Sequence, residues 1–107
     1  LVLSDTPAPR RQVDQCLASA PRNVNRCHLD RAKTVDTEDN DMLRELTGLV
    51  GATFYDTTDW FCTPTVCPSV IGNMAVYQDT NHINNTYGAF LAPYLELIVK
   101  DQLQLLT

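Results

Sequence analysis

Apolar positions recur at helical spacing in two segments and gather into short strand-like runs elsewhere. Between Asp36 and Val50, the residues Met42, Leu43, Leu46, Leu49 and Val50 fall at i, i+1, i+4, i+7 and i+8 and predict a helix with one apolar stripe. Thr37 or Asp39 is placed to cap it, Glu38, Asp39 and Asp41 suit the positive end of its dipole, and Gly51 supplies a stop. A second helix is predicted after His82, with Ile83, Tyr87, Phe90, Leu91, Tyr94 and Ile98 on one face to pack on a sheet. Pro93 should kink that helix or mark a fresh first turn. Leu1–Ser4 and Ala52–Tyr55 read as short strands flanking the first helix. Strand, helix, strand in that order is a βαβ unit with parallel strands and a right-handed crossover. The working edge of such a sheet lies beyond the strands' carboxyl ends, here Asp5-Thr6 and Asp56-Thr57, with Trp60, Phe61 and the following loop over it. Residues 69–77 predict a hairpin about Gly72-Asn73; residues 10–20 are weakly helical, and residues 22–33 have no period and read as loop.

Length and composition add bounds. At 107 residues, with 44% hydrophobic and 20% charged positions, the chain is one globular domain at most and not a disordered one. The net charge is −5, and the eight Lys and Arg are scattered without interleaved aromatics, so the sequence presents no nucleic-acid surface. No run is long enough to span a bilayer: the apolar stretch from Ala89 to Val99 is interrupted by Pro93 and Glu96.

The four cysteines narrow the compartment. Four allow three pairings, of which the local one, Cys16–Cys27 with Cys62–Cys67, is expected because each bridge clips a loop rich in proline or polar residues. A zinc site needs closer pairs than Cys16 and Cys27 provide. Disulfides imply an oxidising location, in periplasm or at the cell exterior. The export signal or anchor is then expected on upstream sequence, because Leu1-Val2-Leu3-Ser4 opens as a core strand without a lead-in.

Candidate chemistry concentrates in Tyr77-Gln78-Asp79-Thr80-Asn81-His82, directly before the last helix. A histidine serves as general base when neutral, correctly tautomerised and aimed, and a carboxylate on its distal nitrogen supplies tautomer and aim. A spacing of three lets one tight turn deliver Asp79 and His82 together. The bland alternative makes Asp79 a helix cap beside a surface histidine. His28 sits in a charged loop and reads as structural or solvated. The acidic run Asp36–Asp41 lacks the glycine and closing glutamate of a calcium loop and reads as a solvated helix start. Ser4 and Ser69 do not occupy a nucleophile turn.

The run Cys67-Pro68, Ile71-Gly72-Asn73, Val76-Tyr77, Asp79-x-x-His82, Tyr87 and Leu91-Ala92-Pro93 resembles the C-terminal block of SGNH-type serine esterases. It is most similar to the SGNH domain fused to membrane acyltransferases of family three. Leu1-Val2-Leu3-Ser4-Asp5-Thr6-Pro7 is similar to an internal strand and turn of that domain, while residues 10–59 match only in layout. The resemblance implies an α/β, flavodoxin-like three-layer fold with a parallel sheet, of which residues 1–107 form the C-terminal part. It implies an extracytoplasmic enzyme that moves acyl groups, usually acetyl, on cell-surface glycans. Asp79 and His82 match two members of its Ser-His-Asp triad. The serine belongs to a Gly-Asp-Ser block absent from this chain, so these residues alone should be inactive. The implied partners are the upstream part of the same domain, a membrane acyltransferase domain and a glycan acceptor; no cofactor or metal is called for. Two rivals remain: a glycan or lipid ester hydrolase of the same fold, and a secreted disulfide-clipped binding domain whose contact surface is Trp60, Phe61 and Tyr77.

Overall fold

The computed structural model describes residues 1–105. Its first strand, β1 (Val2–Leu3), is half-buried, and the prolines Pro7 and Pro9 soon after it rule out a longer extended ladder. After helix α1 (Val13–Ser19) and a 3-10 turn at Val24–Cys27 come β2 (Leu29–Asp30), α2 (Arg31–Thr34) and α3 (Thr37–Leu49). Strand β3 (Phe54–Tyr55) then pairs with β1 in parallel, Val2 opposite Phe54 and Leu3 opposite Tyr55. With α3 between the paired strands, this is the predicted βαβ unit. Gly51 adopts φ 71° just beyond α3, the left-handed stop expected of it.

The structure corrects the sequence reading of α3 in two respects. Its cap is Asp36, whose Oδ1 accepts the Asp39 N–H at 2.9 Å, and not Thr37 or Asp39. Asp36 also pushes the Asp39 carboxyl up, since two acids share that helix end. Secondly, the apolar stripe is not covered by this chain: Leu49 and Val50 are 76% and 79% exposed, and Met42 and Leu46 about half exposed. The buried side chains of α3 are Asn40 and Thr47. Asn40 Oδ1 accepts the Asp5 N–H at 2.8 Å, fixing the turn after β1 to the helix. Arg44 ties α3 to β3, its guanidinium lying 5.0 Å from the Phe54 ring centroid and 3.4 Å from Asp56.

Residues 22–33, read as loop, contain the 3-10 turn, β2 and most of α2. Strand β2 pairs antiparallel with β4 (Val66–Cys67), Leu29 opposite Cys67. The predicted hairpin is present as β5 (Val70–Ile71) and β6 (Met74–Ala75), with Gly72 at φ 57° in its turn. Both local disulfides form, Cys16–Cys27 and Cys62–Cys67. Closing loops this short stabilises the fold by about 2–3 kcal/mol each on the chain-entropy argument.

The core gathers Val13, Leu29, Phe61, Cys67, Val76, Tyr77 and Tyr87. Phe61 and Tyr87 meet edge-on at 5.8 Å, and the Tyr87 hydroxyl donates to the Trp60 carbonyl. Phe61 and Tyr77 are almost fully buried, so the contact surface of the binding-domain alternative does not exist as such. Helix α4 (Asn85–Leu105) runs through Pro93 as one element, so of the two outcomes expected there, a kink or a fresh first turn, the second does not occur. Only its first half packs as predicted: Tyr87 and Leu91 join the core, whereas Phe90 and Tyr94 are about half exposed and extend an aromatic row from Tyr87. Among the described residues, no helix is long and apolar enough to cross a membrane.

Candidate active site

Asp79 and His82 face each other. His82 Nδ1 lies 2.8 Å from Asp79 Oδ2 and 3.0 Å from Oδ1. The loop that carries them is built from the buried residues at its two ends. Val76 and Tyr77 lead in from β6, Tyr77 forms an antiparallel bridge with Ile83, and Tyr87 anchors the far side one turn into α4. Gln78 N–H donates to the His82 carbonyl and Asn84 N–H to the Val76 carbonyl, both at 2.8 Å, closing the loop on itself.

Within it, Asp79 Oδ1 accepts the backbone N–H of Asn81 at 2.9 Å and of His82 at 2.8 Å. This is an Asx turn, favoured because the short carboxylate reaches donors two and three residues on. Asp79 is therefore not the cap of α4. Asn84 sits at that entry, its side chain accepting the Thr86 N–H at 2.9 Å and its carbonyl the Gly88 N–H. The helix-cap alternative for Asp79 fails on this geometry.

The Asn81 N–H, together with the His82 ring and N–H, holds the Asp79 carboxyl below the usual carboxylate range, against a smaller opposing push from desolvation. A pKa lower in the folded state stabilises the turn above the unfolded value and withdraws that support as pH falls through the folded one. The Asn81 and His82 amides should accordingly stay protected from hydrogen exchange at neutral pH and lose protection only as pH falls below the ordinary carboxylate range. Loss of protection at higher pH would mean that the carboxylate does not hold the turn.

A carboxylate cannot donate, so the hydrogen between it and Nδ1 belongs to the ring. In the neutral imidazole this leaves the lone pair on Nε2, the nitrogen that can accept a proton. The His82 side chain is 68% exposed, and no described residue engages Nε2. The pair is preorganised and open.

Beside it, a cavity of about 240 Å³ is lined by Leu3, Thr57, Trp60, Phe61, Ile83 and Leu91. It lies at the carboxyl ends of β1 and β3, where open parallel sheets bind ligands, and Ile83 joins its wall to the His82 loop. Asp56, at the same rim, is pushed up by burial but held below the usual range overall by Thr58 and Arg44. Ser4 is locked there, accepting the Thr57 N–H at 2.8 Å, and Ser69 is buried with its hydroxyl on the Cys27 carbonyl. His28 is half-buried beside Leu29, and among the described residues its ring pairs with no carboxylate.

One contributor to the loop was not legible in sequence. Arg10 adopts φ 60°, costing a side-chain-bearing residue about 1 kcal/mol, and donates its backbone N–H to the Thr80 carbonyl at 2.9 Å. Only the prolines before it hint at an unusual backbone. Nothing in the residue type does.

The structure thus holds an imidazole oriented by a carboxylate, with Nε2 open to solvent, near the rim of a parallel strand pair. A family model described as "SGNH domain (fused to AT3 domains)" matches residues 1–96, and the chain belongs to this family as an acyltransferase-related SGNH domain. No curated protein and no solved structure matches the chain.

Proposed function

We propose that this chain is the C-terminal part of an extracytoplasmic SGNH-type O-acyltransferase, acetyl being the expected group and a cell-surface glycan the acceptor. On this reading the whole domain is a three-layer, flavodoxin-like sandwich, and a membrane acyltransferase domain on the same polypeptide supplies the acyl donor. The observation that carries it is the 2.8 Å contact between His82 Nδ1 and Asp79, which leaves Nε2 as a base. Two disulfides support the oxidising compartment.

A serine outside these residues attacks the donor's acyl carbon while Nε2 takes the hydroxyl proton. Asp79 stabilises the resulting imidazolium, which protonates the departing group, and an acyl-serine ester remains. A sugar hydroxyl then attacks this ester, giving its proton to Nε2, and the serine leaves with the proton returned. Water in place of the sugar gives the hydrolase.

The test is to treat the complete protein with a serine-directed fluorophosphonate and locate the adduct by peptide mass spectrometry. A single labelled serine whose labelling collapses in His82→Ala is expected. Absence of an adduct, or equal labelling of the variant, would sink the triad. Supplying an acyl donor with glycan and partitioning product between acylated sugar and free acid then separates transfer from hydrolysis.

A further inference from the structure

Three of the chain's eight Lys and Arg, the adjacent pair Arg10 and Arg11 and the distant Lys33, meet at one cleft. Arg10, Arg11 and Lys33 line a space of about 510 Å³ together with His28, Asp30 and Thr34. Such a volume suits a monosaccharide-sized ligand. Among the described residues none of the three cations lies within ion-pair distance of a carboxylate. The ion pairs among the described residues use Arg31, Arg44, His82 and Lys100 instead. Asp30, the acid in the cleft, caps α2 through its Oδ1, which accepts the Ala32 N–H at 3.0 Å; capping does not neutralise it, so the lining sets three cations against one carboxylate. Arg11 is steadied by a 3.3 Å contact from its guanidinium to Cys16 Sγ of the disulfide. Arg10 and Lys33 also border a second hollow whose other charged residues are Asp36 and Glu38, whereas Arg11 borders only the first of the two.

Three cations against one carboxylate make this cleft locally positive on a chain of net charge −5, a focus for a negatively charged ligand. Its position relative to the site is set by the backbone. Arg10, a wall of the cleft, donates its N–H to Thr80, which lies between Asp79 and His82. A sugar whose anionic group sits among Arg10, Arg11 and Lys33 is thereby held beside the loop that carries the base.

We propose that this cleft binds the oxyanion of an acidic sugar, a carboxylate or a phosphate ester, and so selects the acceptor of the transfer reaction. The acceptor role rests on the transferase reading; binding itself does not. Arginine forks match either oxyanion in two parallel hydrogen bonds, and Lys33 adds a point charge.

The experiment is calorimetric titration of the complete protein with glucuronate, glucose 6-phosphate and glucose. One or both anionic sugars should bind at least about tenfold more tightly than glucose, and the stronger of the two identifies the oxyanion. The preference should shrink severalfold on raising salt. It should vanish in Arg10→Gln/Lys33→Gln, which keeps the Arg10 backbone N–H, and persist in Arg22→Gln/Arg26→Gln, which removes the same charge elsewhere. Equal affinities for the three sugars overturn the proposal, as does equal loss in both double variants. Neither readout needs turnover, so a failed triad and an absent oxyanion site are distinguishable.

Discussion

His82→Ala is expected to lower turnover of a small aryl acetate by the complete domain by two to four orders of magnitude. General-base catalysis by a positioned side chain contributes about that factor. The loss should report chemistry and not misfolding, because the turn depends on the backbone N–H groups of Asn81 and His82, both of which alanine retains. The side chain is also mostly exposed, so its removal opens no cavity in the core. Steady-state rates, with near-ultraviolet circular dichroism as the fold control, check this. Comparable rates in wild type and variant would remove His82 from the mechanism.

A change of one atom at Asp79 should be about as costly. Asp79→Asn keeps an oxygen acceptor, and the two backbone donors of Asn81 and His82 will hold that oxygen towards themselves. The amide NH₂ then faces Nδ1, which must accept, and the ring proton moves to Nε2. A protonated Nε2 cannot take a proton from serine. A fall of about 10³–10⁴ in turnover is expected with the turn intact. Ring nitrogen-15 shifts give a readout that a structural role would not move: Nδ1–H in wild type, Nε2–H in the variant. An active variant with its proton still on Nδ1 would refute the orienting role. Because the two side chains act as a unit, the double variant should lose little beyond the worse single one.

What the chain discloses before folding depends on how local the cause is. The Gly51 stop, the Gly72 turn and the two short-range disulfides are each written within about a dozen residues, and each forms. The βαβ order runs from Val2 to Tyr55 but follows from the order of its elements, and its strands do pair in parallel. The Asp79–His82 contact is local too, and it forms without α4 beginning at Asp79. The segment 22–33 was illegible because a two-residue ladder and a four-residue helix are too short to show a period, and β2 is defined by Cys67 far along the chain. The stripe of α3 has correct spacing, but periodicity says only which residues share a face, not what lies against it. Likewise the eight Lys and Arg form no cluster beyond the Arg10-Arg11 pair in sequence; the fold brings Lys33 to that pair.

The uncovered flank of α3 has a practical side. Water in contact with Met42, Leu46, Leu49 and Val50 is unfavourable by roughly 25 cal/mol for each Å² of hydrocarbon wetted, so these side chains favour any greasy neighbour. In a test tube holding only this polypeptide, the readiest such neighbour is another molecule of the same kind. Clumping there would reflect a dry face seeking cover and would say nothing against the fold itself.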